Sequence, residues 1–431
     1  MLNLIESKKG FEEIEEAYSL YIKTGADKEE SDRDFLSRDF IKEVSDRYNL
    51  PDNLTERFYK ALDEIEGNKD ILNLYKFLRW DLTRYKNGID GDFYLNFAFN
   101  YESECPDVRK FLLLLSCISL GTEKLKERNV PEEVYKEMPY HRIKPQMEQY
   151  KETGNCEVLD FGWDKNFYAE TIFLFDRFYF TPYTFCDPFK LYRNKKSDRV
   201  TGLYLGEKPV TKEGQVIAEG ETGKPAFTTF YEEDEESFRG NFMNPCGIIS
   251  KKVISLKKDD YEVALKPGDL LLAFHIPGGE GYNPKRLEKS MSMALSFYGK
   301  YFPEMEIKGF WSESWLYDPT LSMLLDKDTN IVSMQRRFYC YSIGEGSDML
   351  KKELHVTPES KNPVTSLQKK ALALFKAGID FHTTSMIVLR EEVTNIKDRY
   401  PYLKDENIKE YRSVIKNAGI DISKVLEDAG L

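Results

Sequence analysis

A chain of 431 residues is long enough for two or three domains, each with its own core, and 27 Tyr and 28 Phe within a 41% apolar composition argue against disorder. A formal net charge of −12 with no offsetting basic block argues against nucleic acid or an anionic membrane as partner. The 6 cysteines, Cys105, Cys117, Cys156, Cys186, Cys246 and Cys340, include no CxxC pair and no His at ligand spacing, so neither a disulfide framework nor a metal site is expected. The N-terminal MLNLIESKKGFEE has no apolar signal core, and the longest apolar stretch, Phe111 to Leu120, is far short of the roughly 20 residues a membrane span needs. A soluble, cytoplasmic protein is the expectation.

In chain order, apolar residues recur three and four apart from Phe11 to Gly154. They predict helices over 11–23, 32–48, 54–66, 69–86, 106–127 and 131–152, with Asp52, Asn53 and Asn68 as starts or stops. Trp80 sits at helical spacing and reads as core before it reads as a pocket wall. Near Cys156 the texture changes, and Ile172 to Phe185, IFLFDRFYFTPYTF, has strand composition interrupted by Pro182. The polar stretch from Lys195 to Glu236, ending in an acidic run, predicts hairpins and a mobile loop, either plain solvated loop or lid.

Leu270 to Ile276 is an unbroken apolar run opened by Pro-Gly-Asp, which predicts a buried strand. The loop Pro277-Gly278-Gly279-Glu280-Gly281 follows, then Asn283 as N-cap and Pro284 at the first helical position. Leu287, Met291, Ala294, Leu295 and Tyr298 share one helical stripe beyond it. Strand, glycine loop and helix start together make a candidate anion cradle, because glycines let backbone N–H groups turn inward where the helix adds its own unpaired donors. Lys285 and Arg286 are cations at the wrong end of a helix dipole unless an anion sits there. The alternative is an ordinary strand-to-helix turn with surface cations.

Further on, EIKGFWSESWLY alternates so that Trp311, Glu313, Trp315 and Tyr317 share one face. A short helix over TLSMLLD, a strand from Asn330 to Tyr341 carrying Arg336 and Arg337, a helix at 364–377 and a strand at 382–390 are predicted next. The tail from Glu391 to Leu431 is charged and helix-like, broken at Pro401, and reads as a docking appendage or surface cap. The expected fold class is α/β (α+β), a helical N-terminal domain followed by a mixed sheet flanked by helices.

The phrases LKPGDLLLAFHIPGG, SESWLYDPTLSMLL, NIVSMQRRF and TSLQKKALALFKAG, in that order, resemble a family of bacterial acyltransferase-domain proteins of GNAT type. ERNVPEEVYKEMPYHRIKPQMEQYKETG and LDFGWDKNFYAETIFLFDRFYF resemble the region preceding that family's first strands, so the likeness spans about residues 105–390. It implies an N-terminal acyltransferase region and a GNAT-like C-terminal domain, with a splayed mixed sheet. The implied reaction is transfer of an acyl group from coenzyme A or an acyl carrier protein. The expected divisions are 1–155 helical, 156–270 strand-rich, 271–391 GNAT-like and 392–431 a helical tail. The resemblance places the donor's pyrophosphate on the loop Pro277 to Gly281, with Gly278, Gly279 and Gly281, although the loop lacks the family's leading Gln or Arg; the helix-start reading adds Asn283, Lys285 and Arg286 to the candidate cofactor-binding residues. Glu313 also stands where the family often carries His.

Acyl transfer to an amine needs a base, an oxyanion donor and an acid for the leaving thiolate. Glu313 between Trp311 and Trp315 is the candidate base, with burial expected to raise its pKa, and the alternative is a solvent-facing or ion-paired Glu. His275, directly before the glycine loop, is a second candidate as base, relay or orienting donor, or else a buried structural residue. Tyr317 is the candidate acid. Trp311, Trp315 and Arg336 are candidate substrate contacts, Arg336 and Arg337 as phosphate or carboxylate anchors, with surface ion pairing as the alternative. No Cys has a neighbouring His and no Ser lies in G-x-S-x-G, which favours direct attack over an acyl-enzyme. The acceptor is expected to be an amine or hydroxyl on a small molecule or peptide. The other reading is a catalytically silent GNAT-like module that binds a thioester or a partner and acts as scaffold.

Overall fold

The computed structural model describes residues 1–31, 33–84, 93–218 and 223–431. It divides into two compact units, the first comprising Met1–Leu174, Phe180–Pro182 and Lys300–Phe302, the second Phe175–Tyr179, Tyr183–Gly299 and Pro303–Leu431.

The first unit is built on helices α1 (Phe11–Lys23), α2 (Arg38–Tyr48), α3 (Asp52–Glu66), α4 (Lys69–Thr83), α5 (Arg109–Glu127), α6 (Tyr140–Thr153) and α7 (Phe161–Tyr168). Their starts follow the sequence logic. Ser37 caps α2 by accepting from the Phe40 amide at 3.1 Å, and Asn68 caps α4 by accepting from Asp70 at 3.0 Å. The helix expected over 69–86 is described to Thr83, and residues 85 and 86 of that expectation lie outside the described residues, as does Asp32 of the one at 32–48. Phe58, Phe77, Leu78, Phe111 and Leu112 form its dry interior. Trp80 packs on Tyr21 with ring centroids 5.1 Å apart. Residues 161–168, inside the segment expected to be strand-rich, are helical, with Asp160 capping the turn, so this unit continues past the expected division at residue 155.

In the second unit, β1 (Phe189–Asn194), β2 (Val200–Tyr204), β3 (Ser237–Asn244), β4 (Ile248–Lys257) and β5 (Tyr261–Leu265) form an antiparallel sheet in the order β4-β3-β2-β1-β5. The acidic run before β3 is partly strand: Tyr231–Glu233 pairs with β3, and Glu233 is held by Lys190 at 3.0 Å and Lys258 at 3.2 Å. Residues 219–222 of the expected loop lie outside the described residues. A second sheet contains β6 (Leu270–His275), β7 (Ile307–Ser314), β8 (Tyr339–Glu345) and β9 (Thr383–Leu389), running β8-β9-β7-β6. Only the β6 and β7 pair of these is parallel, and α8 (Pro284–Tyr301) connects them, as a parallel crossover requires. Phe185, Phe189, Leu191, Tyr339, Tyr341 and Ile387 form a core shared by both sheets.

The strand expected from Asn330 to Tyr341 is corrected. Thr329 caps a short helix, α9 (Asn330–Gln335), by accepting from the Val332 amide at 3.4 Å, and β8 begins only at Tyr339. Downstream come α10 (Asp348–Leu354), α11 (Ser366–Lys376), α12 (Asp405–Asn417) and α13 (Ile422–Asp428). The start of α11 is a capping box between Thr365 and Gln368. The tail is not an appendage: its Tyr411, Ile415 and Ile422 are buried in one cluster with Leu372 and Phe375. Among the described residues no helix is long and apolar enough to cross a membrane.

Candidate functional site

The parallel ladder between β6 and β7 pairs Leu270 with Ile307, Leu272 with Phe310 and Ala273 with Trp311. Beyond that pair β6 runs on to His275 and β7 to Ser314 with no further register between them. A cleft of about 1130 Å³ opens at this point. Phe274, His275 and the whole loop from Pro277 to Tyr282 line one side of it, Ser312, Glu313, Ser314 and Trp315 the other. Asp348, Met349, Lys352 and Glu353 of α10 also reach it. The structure therefore brings Gly278, Gly279, Gly281, His275, Glu313 and Trp315 to one opening.

The conformation of the loop has a cause that the sequence does not announce. Arg177, at the turn before the strand Phe178–Thr184, donates from Nε to the Glu280 carbonyl at 2.7 Å and from Nη2 to the carbonyls of Gly278 at 3.3 Å and Gly279 at 3.0 Å, as well as to that of Pro277. One buried guanidinium thus gathers four successive carbonyls. The amides of residues 278–281 donate to no described residue, and Gly278 to Glu280 are exposed. Gly279 and Gly281 hold φ of 96° and 99°, which a side chain would strain. At Gly281 a Cβ would also lie 3.3 Å from Arg177 Cδ. Carbonyls turned to Arg177 and amides left unbonded are the arrangement an anion-binding nest uses.

The helix-start residues do less than expected. Asn283 caps α8, its side chain accepting from the Arg286 amide at 3.0 Å, and does not line the cleft. Arg286 is paired with Asp176, which also takes Lys289 at 2.6 Å. Desolvation alone would raise the Asp176 carboxyl, yet the bonds from Lys289 and Arg286 hold it below its ordinary value. Arg286 at this helix start therefore needs no anionic ligand, because the chain supplies the anion itself. Lys285 is exposed and outside the cleft lining.

Glu313 is half-buried on β7, opposite Ser385 of β9. Burial pushes the His275 imidazole down to about 4, which leaves it neutral near pH 7 and a weak proton acceptor, better suited to holding a hydrogen bond than to taking a proton. The alternation that was to place Tyr317 beside Glu313 stops at Ser314. That residue accepts from the Leu316 amide at 3.2 Å and turns Trp315–Tyr317 into a 3₁₀ turn. Tyr317 is consequently buried, donates to Ser312 Oγ at 3.0 Å, and does not line the cleft. Desolvation raises its hydroxyl well above the ordinary range, which weakens it further as an acid. Trp311 is likewise committed elsewhere. It stacks on Tyr183 at 4.2 Å, and its Nε1 donates to the Tyr341 hydroxyl at 2.8 Å and to Asp187 at 3.3 Å.

Arg336 ends α9, not a strand, and lies in a separate cavity. Arg337 is buried and donates to the carbonyls of Ile396 at 2.9 Å and Lys397 at 2.6 Å, so its role is structural. Residues the sequence reading missed are Arg177, Ser312, Ser314, Tyr282 and the α10 side chains. No local pattern marks Arg177, whose partners lie about a hundred residues away in sequence.

The cleft lining carries the carboxylates of Glu280, Glu313, Asp348 and Glu353 against the single ammonium of Lys352. This net negative lining favours a cationic group, while the exposed amides of the loop are the donors it offers to an anionic one.

Residues 189–387 match the model of the GNAT-like C-terminal domain, a span that crosses the division expected at 270 and takes in β1 to β8 and most of β9. No curated protein is significantly similar in sequence. Similar solved structures include an acyltransferase in complex with decanoyl-CoA, at TM-score 0.48 and 14% identity, covering 80% of this chain and 86% of that one. Others are an acyltransferase with decanoyl-CoA and teicoplanin, at TM-score 0.48 and 17% identity over 81% and 87% of the two chains, and one with CoA and 10C-teicoplanin, at 0.48 and 16% over 81% and 87%. In sequence, residues 189–387 are thus similar to the GNAT-like C-terminal domain.

Proposed function

We propose that the protein is an acyltransferase that takes its acyl group from acyl-CoA and passes it to an amine by direct attack. The observation that carries this reading is the cleft where the β6–β7 ladder ends, within the span similar to the GNAT-like C-terminal domain, with the glycine loop on one wall and Glu313 on the other. The donor's pyrophosphate lies against the amides of Gly278 to Gly281, and its thioester runs between the strands.

The acceptor enters as an ammonium, drawn by Glu313, Asp348 and Glu353. One proton passes to Glu313, and the freed amine attacks the thioester carbonyl. The C–N bond forms first. The tetrahedral intermediate then expels the thiolate as the C–S bond breaks, and the second nitrogen proton goes to the thiolate through the wet cleft. His275, neutral and beside the loop, orients rather than titrates. A carrier-protein thioester would use the same groove.

Thiol release from acetyl-, malonyl- and long-chain acyl-CoA, followed with a panel of amines, tests the proposal. Amine-dependent release that Glu313→Gln reduces supports it. Saturable binding of acyl-CoA with no turnover for any amine would favour the silent binding module instead.

A further inference from the structure

The cavity that holds Arg336 is a different place from the cleft. It measures about 90 Å³, room for a few water-sized groups, and lies where the Pro245-Cys246 turn, the end of α9 and helix α12 meet. Lys327, Arg336 and Arg412 line it, and no carboxylate does. That is unusual in a chain of net charge −12, where acidic side chains to pair with are plentiful. Glu410, close enough to the lining residue Cys246 to act on its thiol, is already engaged by Asn244 Nδ2 at 3.0 Å and Ser250 Oγ at 2.6 Å.

None of the three cations forms a salt bridge with a described residue. The Nε of Arg336 is buried without a hydrogen-bond partner, while its guanidinium rests over the Tyr400 ring at 4.8 Å. The adjacent Arg337 shows the contrast, since its nitrogens are spent on backbone carbonyls and Ser333. A buried donor left unbonded is costly, and a planar guanidinium held in place by a ring presents its fork to whatever fills the space beside it.

We infer that this cavity is a binding site for a small oxyanion of the phosphate class, held by Arg336 with Arg412 and Lys327 at its mouth. The inference stands apart from the acyltransferase reading, because none of the three side chains lines the Glu313 cleft. The same chemistry could come from free phosphate or from a phosphate carried on a larger ligand such as the 3′-phosphate of CoA.

Calorimetric titration with inorganic phosphate at constant ionic strength, on the full chain, tests it. Saturable binding in the millimolar range is expected, weakened about tenfold or more by Arg336→Gln and by Arg412→Gln, and less by Lys327→Gln. The last two alter exposed side chains, so they keep the test valid if Arg336→Gln fails to fold. Parallel titrations with CoA and dephospho-CoA separate the sources. A preference for CoA that Arg412→Gln abolishes identifies a carried phosphate, and no such preference identifies the free ion. The inference is overturned if wild-type protein shows no saturable phosphate binding, if chloride competes equally, or if binding survives all three substitutions and is lost in Arg177→Leu, which would assign it to the glycine loop.

Discussion

Glu313 and His275 sit on facing strands where the ladder stops, and their chemistry divides by environment. Replacing Glu313 with Gln removes the proposed proton acceptor while keeping the shape of the side chain. The expected result is a loss of about 10²–10⁴-fold in kcat with the donor KM and the melting temperature nearly unchanged; unchanged kcat would remove Glu313 from the reaction. His275 gives a prediction about stability. Its imidazole titrates near 4 when folded, against an ordinary value of 6.5. Between those values the unfolded chain binds the extra proton, so stability rises with pH across the window and is fully present above it. Urea unfolding from pH 4 to 7 should show this slope, and His275→Gln should flatten it by at most about 3 kcal/mol, less where the cleft wets the ring. Identical slopes in both proteins would contradict the assignment.

At the scale of the element, the strand, glycine loop and helix start were legible in the sequence because each rests on local chemistry. An apolar run, three glycines and an Asn-Pro start suffice. What holds that element was not legible. Arg177 and Asp176 come from a distant turn and make contacts that no spacing encodes, and they change what the loop's own residues mean: Arg286 becomes a structural ion pair rather than a phosphate ligand. The same limit explains Tyr317. Alternation predicts its face only while the strand lasts, and Ser314 ends the strand early by capping a turn. Arg177→Leu should therefore cost about 1–3 kcal/mol of stability in urea unfolding and raise the donor KM while leaving kcat largely intact. A variant with wild-type KM would mean that the loop's amides do not meet the donor.

For the molecule as a whole, periodicity recovered the helical first unit almost to the residue at α1, where expected and observed ends agree at 11 and 23. The later divisions were less legible because they depend on which elements share a core. Helix α7 lies between the change of texture near Cys156 and the aromatic stretch from Ile172, where composition alone assigns strands, and α12 and α13 look like a detachable tail until Tyr411 and Ile415 are found in the same cluster as Phe375. Truncation after residue 391 should accordingly unfold the second unit rather than trim it, seen as loss of its cooperative melting transition, whereas an unchanged transition would restore the appendage reading.

The central claim is that the loop amides and Glu313 face one groove built for an acyl thioester, and thermal unfolding with increasing acyl-CoA tests it most directly. Selective binding to the folded state stabilises it by about 2.7 kcal/mol at a hundredfold excess over Kd. The account predicts a saturable rise in melting temperature for at least one acyl-CoA, sharply reduced in Arg177→Leu and retained in Glu313→Gln. A flat response to every acyl chain length, or an equal rise in the Arg177 variant, would contradict it.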